Sequence, residues 1–151
     1  MVNLNIPITI TKNGLLKNQD EKKAINEFVE AIITAKMFDT PADPDFGFIL
    51  NNLRFEIFNE NEGVILNSGE TGEGVAVEGL YDKKVSGTSK NINTFAADLK
   101  EKVTQYETRL EDTNVSMTYI REERQIYITV KGTVKSTKEP YSYTHVTRVW
   151  N

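Results

Sequence analysis

The 151-residue chain, 38% hydrophobic and 26% charged, is long enough to fold as one domain around its own core. It has no cysteine and a single histidine, His145, which excludes a disulfide framework, a thiolate nucleophile, a cysteine-based zinc site and a His-pair metal site, so no metal or other cofactor is expected. Eighteen Lys plus Arg against 22 Asp plus Glu give a formal charge of −4 with no dense basic cluster to neutralise a phosphate backbone, so nucleic acid is not an expected partner.

The opening stretch MVNLNIPITITKNGLL has neither a basic n-region nor a continuous apolar h-region, and no apolar run approaches membrane-spanning length. A cytoplasmic protein is expected, or one exported without a cleaved signal, with no membrane insertion. NIPITIT alternates after its proline and predicts a short strand, closed by a turn at Asn13-Gly14. A helix follows. Ile25, Phe28, Val29, Ile32 and Ile33 recur at i, i+3, i+4, i+7 and i+8, and Asn18 with Glu21 three residues later has the form of a capping box. Lys22, Lys23, Glu27 and Glu30 occupy the other face. The helix must stop before DTPADPDFG, whose two prolines restrict the residues preceding them, and Asp45 is placed to cap a second, short helix in FGFILNNLRF.

Residues 61–91 are rich in Gly, Ser and charge, with brief alternation only in GVAVEG, and read as a long loop or small hairpin inserted into a single domain spanning 1–151. In INTFAADLKEKVTQYE the stripe Phe95, Leu99, Val103 and Tyr106 predicts a helix capped by Asn93 or Thr94. The period then falls to two. Val115, Met117 and Tyr119 alternate, REERQ turns the chain, Ile126, Ile128 and Val130 alternate back, and YSYTHVTRVW supplies a third strand. The fold class expected is α+β, with helices packed on a small antiparallel C-terminal sheet.

Some stretches imitate catalytic motifs without their context. Asp45-Phe46-Gly47 matches the kinase magnesium triplet, but the chain is too short for that fold and lacks the HRD and Gly-rich loops. GETGEG at 69–74 has no G-x-G-x-x-G order and would set two glutamates against a phosphate. Among the acids, Glu56 and Glu107 each adjoin an aromatic residue able to raise a carboxyl pKa, yet a solvated or salt-bridged role is the stronger reading for both.

TPADPDFGFILNNLRFE resembles the proline, Asp-Phe-Gly and Leu-rich helix block of the phage gene-twenty-five-like baseplate family, which includes the TssE component of type VI secretion systems. YETRLED with two alternating strands after it resembles that family's Glu-Pro-Arg motif and closing hairpin. The order of elements agrees from about residue 6 to 134. Two features depart from the family: Thr108 stands where the motif has Pro, so the fixed φ at the turn is missing, and the 61–91 segment is longer than usual. The resemblance implies a structural wedge subunit that anchors or initiates a contractile sheath, without cofactor or small-molecule substrate, docking to TssF-, TssG- or TssK-like wedge proteins and to sheath subunits. It implies Glu107, Thr108 and Arg109 as a partner-binding triplet and Pro44, Asp45, Phe46 and Gly47 as a structural block. The last strand, with Tyr141, Tyr143, His145, Thr147 and Val149 on one face, is a candidate for pairing with a sheath strand at a sheet edge. Some relatives are named lysozymes, and a similar fold serves as a bacterial anti-adaptor, so peptidoglycan hydrolysis and regulatory binding stand as alternatives.

Overall fold

Among the described residues, two helices and a three-stranded meander carry the core. The computed structural model describes residues 8–15, 20–52, 55–59, 64–67 and 89–148. The chain starts with a minimal hairpin, β1 (Ile10–Thr11) against β2 (Gly14–Leu15), turning through Lys12-Asn13, with Gly14 at φ 109° as the predicted turn requires. Each strand has two residues, shorter than the alternation of NIPITIT predicts. Residues 5–7 of that stretch lie outside the described residues.

Helix α1 (Glu21–Thr34) buries Ala24, Ile25, Val29, Ile32 and Ile33, the face set by the i, i+3, i+4 spacing. Its start differs from the capping box expected at Asn18. The cap is Asp20, in extended backbone, whose carboxylate accepts the Lys23 amide at 3.3 Å and puts a negative charge at the positive helix end. Glu21 is thereby the first helical residue. At the other end Ala35 leaves the helix at ψ 145°.

The second helix expected in FGFILNNLRF is a single 3-10 turn, Ile49–Asn52, and Asp45 does not cap it. The reason lies in the polar groups: Asn51 gives its side chain to the end of α1 and Asn52 to the Met37 backbone just beyond it, and Phe55 already belongs to strand β3 (Phe55–Asn59). β3 pairs antiparallel with β4 (Val64–Asn67), and β4 with β5 (Ser89–Asn91), so the described parts of the 61–91 segment, read as a long loop or a small hairpin, are antiparallel strands. GVAVEG lies outside the described residues.

Helix α2 (Ile92–Tyr106) follows β5 directly and begins ahead of both Asn93 and Thr94, which therefore sit in its first turn and do not cap it. Ile92, Phe95, Ala96, Leu99 and Val103 are buried. The meander is β6 (Leu110–Ile120), β7 (Gln125–Val134) and β8 (Pro140–Arg148), in the order 6-7-8. The pairs Val115 with Val130, Met117 with Ile128 and Tyr119 with Ile126 place the predicted apolar positions on one face. Helix and sheet faces meet over Phe48, whose ring stands edge-on to Phe95 at 6.3 Å. The fold is the α+β class expected. Among the described residues no helix is long and apolar enough to cross a membrane.

Candidate functional site

The Glu107-Thr108-Arg109 triplet forms the corner between α2 and β6. The Glu107 amide still donates to the Val103 carbonyl at 2.8 Å, as the last helical bond, and the Glu107 carbonyl then accepts from Leu110 at 3.4 Å. Within this corner the Glu107 carboxylate takes three N–H contacts from one residue: the Arg109 backbone amide at 3.1 Å and Nε at 2.8 Å on Oε1, and Nη2 at 2.7 Å on Oε2. The guanidinium fork thus holds the turn in place. Its Nη2 also extends to the Ala24 carbonyl of α1 at 3.5 Å, while the Arg109 carbonyl accepts from Lys135 at 2.9 Å.

Glu107 is 1% exposed, and the Arg109 side chain 14%. These two groups satisfy each other inside the protein and clamp the corner from within. Thr108 alone of the three is exposed. The hydrogen bond from Arg109 to Glu107 raises the guanidinium pKa against the opposing effect of burial, with the charges of Glu107 and Glu21 adding to the rise. Around the clamp, Tyr141 donates to Asn26 Oδ1 at 2.7 Å, Ser136 donates to Glu21, and Lys22 pairs with Glu139 at 2.8 Å, so that β8 and the turn before it are tied to the first half of α1.

The Pro44–Gly47 block packs against the end of α1 and against α2. Gly47 lies at φ 123°, and a Cβ there would stand 2.8 Å from the Lys36 carbonyl carbon and 2.9 Å from the Ala35 oxygen. Only glycine fits both the torsion and the space. Phe46 packs edge-on against Tyr106 at 5.2 Å and tilted against Phe28 at 6.1 Å, wedging between the two helices. The Asp45 carbonyl accepts from Lys102 at 2.8 Å and the Pro44 carbonyl from Phe38 at 2.8 Å. Asp43, which accepts the Asp45 amide at 3.2 Å, also binds the Tyr106 hydroxyl. Desolvation first, then that bond and the charges of Asp43 and Asp45, push the Tyr106 pKa up to about 12.

Asn51 and Asn52 are the functional residues of this region that sequence reasoning passed over. Asn51 Nδ2 donates to the Ile33 and Ala35 carbonyls at 2.6 and 2.9 Å, and Asn52 makes a two-way bond with the Met37 backbone, 2.9 Å in each direction. Asn51 satisfies carbonyls that the helix end leaves open, and Asn52 fixes the backbone just beyond it. The signal was present as two adjacent asparagines beside an apolar turn, but a remote cap leaves no fixed spacing to read.

Strand β8 lies at the edge of the meander, one side paired with β7. Its register sets Tyr141, Tyr143, His145 and Thr147 opposite Gly132, Val130, Ile128 and Ile126, on the core face of the sheet. Tyr141 is buried and the next three are half-buried, so the side chains nominated for a partner look inward; Ser142, Thr144 and Val146 look out. Val149 lies outside the described residues. Glu56 lies on β3, apart in sequence and element from Glu107. Among the described residues no group of three or more His, Asp or Glu side chains could hold a metal ion.

No family model and no curated protein matches the sequence. A solved structure does: the crystal structure of a candidate tail lysozyme from Geobacter sulfurreducens superposes with a TM-score of 0.60, over 90% of this chain and 97% of that one, at 16% sequence identity. At that identity the likeness is one of fold.

Proposed function

We propose that the protein is a structural subunit of a phage-tail-like contractile injection machine, a cytoplasmic baseplate wedge component of the TssE kind that docks to TssF-, TssG- or TssK-like wedge proteins and anchors or initiates the sheath. The observation that carries this reading is the fold shared over 90% of this chain with a protein named as a tail lysozyme. The sequence motifs agree with it, since the Pro44–Gly47 block and the Glu107–Arg109 pair both serve as fastenings of that fold. In this role Thr108 is the exposed point of the corner, and the regular edge of β8 offers main-chain groups to a sheath strand.

Hydrolysis of peptidoglycan is the second reading, favoured by the name of the Geobacter sulfurreducens protein. A glycosidase of the usual kind places two carboxyl groups ~5 to 10 Å apart across an accessible bond. Glu107 is enclosed and held by three contacts from Arg109, which fits a fastening better than an acid that must meet a glycan.

Purification of the tagged protein from its native host separates the two. Stoichiometric recovery of sheath or wedge subunits is expected, together with no release of labelled fragments from purified peptidoglycan. Release above a heat-killed control, abolished by Glu56→Gln or Glu107→Gln in a folded protein, would establish the enzyme instead.

A further inference from the structure

Between α1 and the 3-10 turn the chain swings outward, and Phe38 at its start has 67% of its surface exposed with φ at 69°. A bulky residue in the left-handed region is an outlier that its surroundings must hold in place. Here they do. The Phe38 amide is bound to the Pro44 carbonyl at 2.8 Å, Met37 is fixed on both its backbone groups by Asn52, and Gly47 is seated on Lys36. Pro41 and Pro44 fix two further φ angles. Asn or Gly would occupy such a torsion without strain, yet the position carries a phenyl ring that makes no use of the core.

We propose that the loop Phe38–Asp45 is a preformed epitope, with Phe38 as its anchor, for a protein partner that presents an apolar pocket rimmed by Lys or Arg. Pro41, Ala42 and Pro44 are exposed beside the ring and extend the apolar contact. The charge around them selects the rim: Asp39 and Asp45 are exposed and Asp43 half-buried, against Lys36 within the segment 36–45 and Lys102 of α2, whose ammonium is taken up by the Asp45 carbonyl. A rigid loop loses little freedom on binding, and aromatic anchors in desolvated pockets carry most of the affinity of such interfaces. Next to the loop, a depression of about 260 Å³ lined by Met37, Phe48, Ile49, Asp98, Glu101 and Lys102 continues the same surface toward α2. This inference stands on the loop alone and does not depend on the baseplate role.

The test begins with a photo-crosslinking benzoylphenylalanine at position 38 of the full chain in its native cells, with Leu15, also exposed, as the control position. Mass spectrometry identifies the crosslinked residue, and the purified partner is then titrated with wild type, Phe38→Ser, Phe38→Gly and Asp39→Lys. A crosslink into an apolar segment bordered by Lys or Arg is expected, with both Phe38 variants weakened at least about tenfold. Asp39→Lys should also bind more weakly and lose part of the salt dependence. Phe38→Gly should melt at or above the wild-type temperature, because glycine accepts that torsion; a lower midpoint would make the ring part of the fold and overturn the proposal. So would a crosslink to a second copy of this chain or to lipid, a crosslink no stronger than at Leu15, or full-strength binding by Phe38→Ser. Whether the partner belongs to a contractile machine is read from its identity, separately from the chemistry of its pocket.

Discussion

Glu107 and Arg109 occupy the turn like a buckle, and their cost of removal follows from where they sit. A solvent-exposed pair contributes ~0 to 1 kcal/mol, whereas deleting one member of an enclosed pair leaves the other desolvated and unmatched. Glu107→Ala and Arg109→Ala are each expected to lower the unfolding free energy by on the order of 3 kcal/mol, measured by urea denaturation of the purified protein. Arg109→Lys should recover little, because an ammonium cannot span both carboxylate oxygens and still approach the Ala24 carbonyl. Thr108→Ala, between them and exposed, should stay within about 0.5 kcal/mol of wild type. Gly47→Ala meets both a disfavoured torsion and a 2.8 Å clash with backbone, and a loss of about 2 kcal/mol or more is expected in the same experiment.

At the scale of elements, the end of α1 depends on groups about 16 residues away in sequence. Asn51→Ala removes two hydrogen bonds from the Ile33 and Ala35 carbonyls and should cost about 1 to 3 kcal/mol, seen as a lower urea midpoint with faster amide exchange in the last turn of α1. The parts of the fold that were legible in the sequence are those whose burial repeats with a period. Ile25, Val29 and Ile32 announce α1, Phe95, Leu99 and Val103 announce α2, and Ile126, Ile128 and Val130 announce β7, because each buries one face. What was illegible depends on distant partners. FGFILNNLRF has the apolar content of a helix, but its asparagines are committed to the end of α1 and the backbone just beyond it, and its last residue to a strand. β5, three residues long, is too short to show alternation. Of the candidate site, the positions of Glu107 and Arg109 stood out as a charged pair at a change of period, but charge reads as surface until tertiary structure shows the carboxylate enclosed.

Across the whole molecule, a set of phenols holds its protons tightly. Burial, then the charge of Glu107, raises Tyr141 well above the ordinary tyrosine value; burial and Glu30 raise Tyr143; the hydrogen bond to Glu123 raises Tyr127; and Tyr106 is pushed up to about 12. A phenol with a higher pKa in the folded than in the unfolded protein keeps its stabilising effect in full below the unfolded value of roughly 10, and loses it as pH rises through the folded value. The urea midpoint is therefore expected to fall from pH ~10 upward, through the folded value of about 12 for Tyr106, and phenolate absorbance of the native protein should lag behind that of the unfolded chain. Tyr106→Phe should flatten the part of that decline that ends near pH 12.

The bond from Tyr141 to Asn26 joins residues 115 apart in sequence, whereas the meander it belongs to is built from neighbouring hairpins. Contacts between hairpin neighbours close short loops and can assemble early; the union of α1 with β8 must wait for nearly the whole chain. Interactions absent from the folding transition state govern how fast a protein comes apart and scarcely how fast it forms. Stopped-flow kinetics of Tyr141→Phe should then show an unfolding arm displaced upward and a refolding arm almost superimposed on that of wild type. The lifetime of the native state, rather than the speed of reaching it, is what the fastening of α1 to the last strand controls.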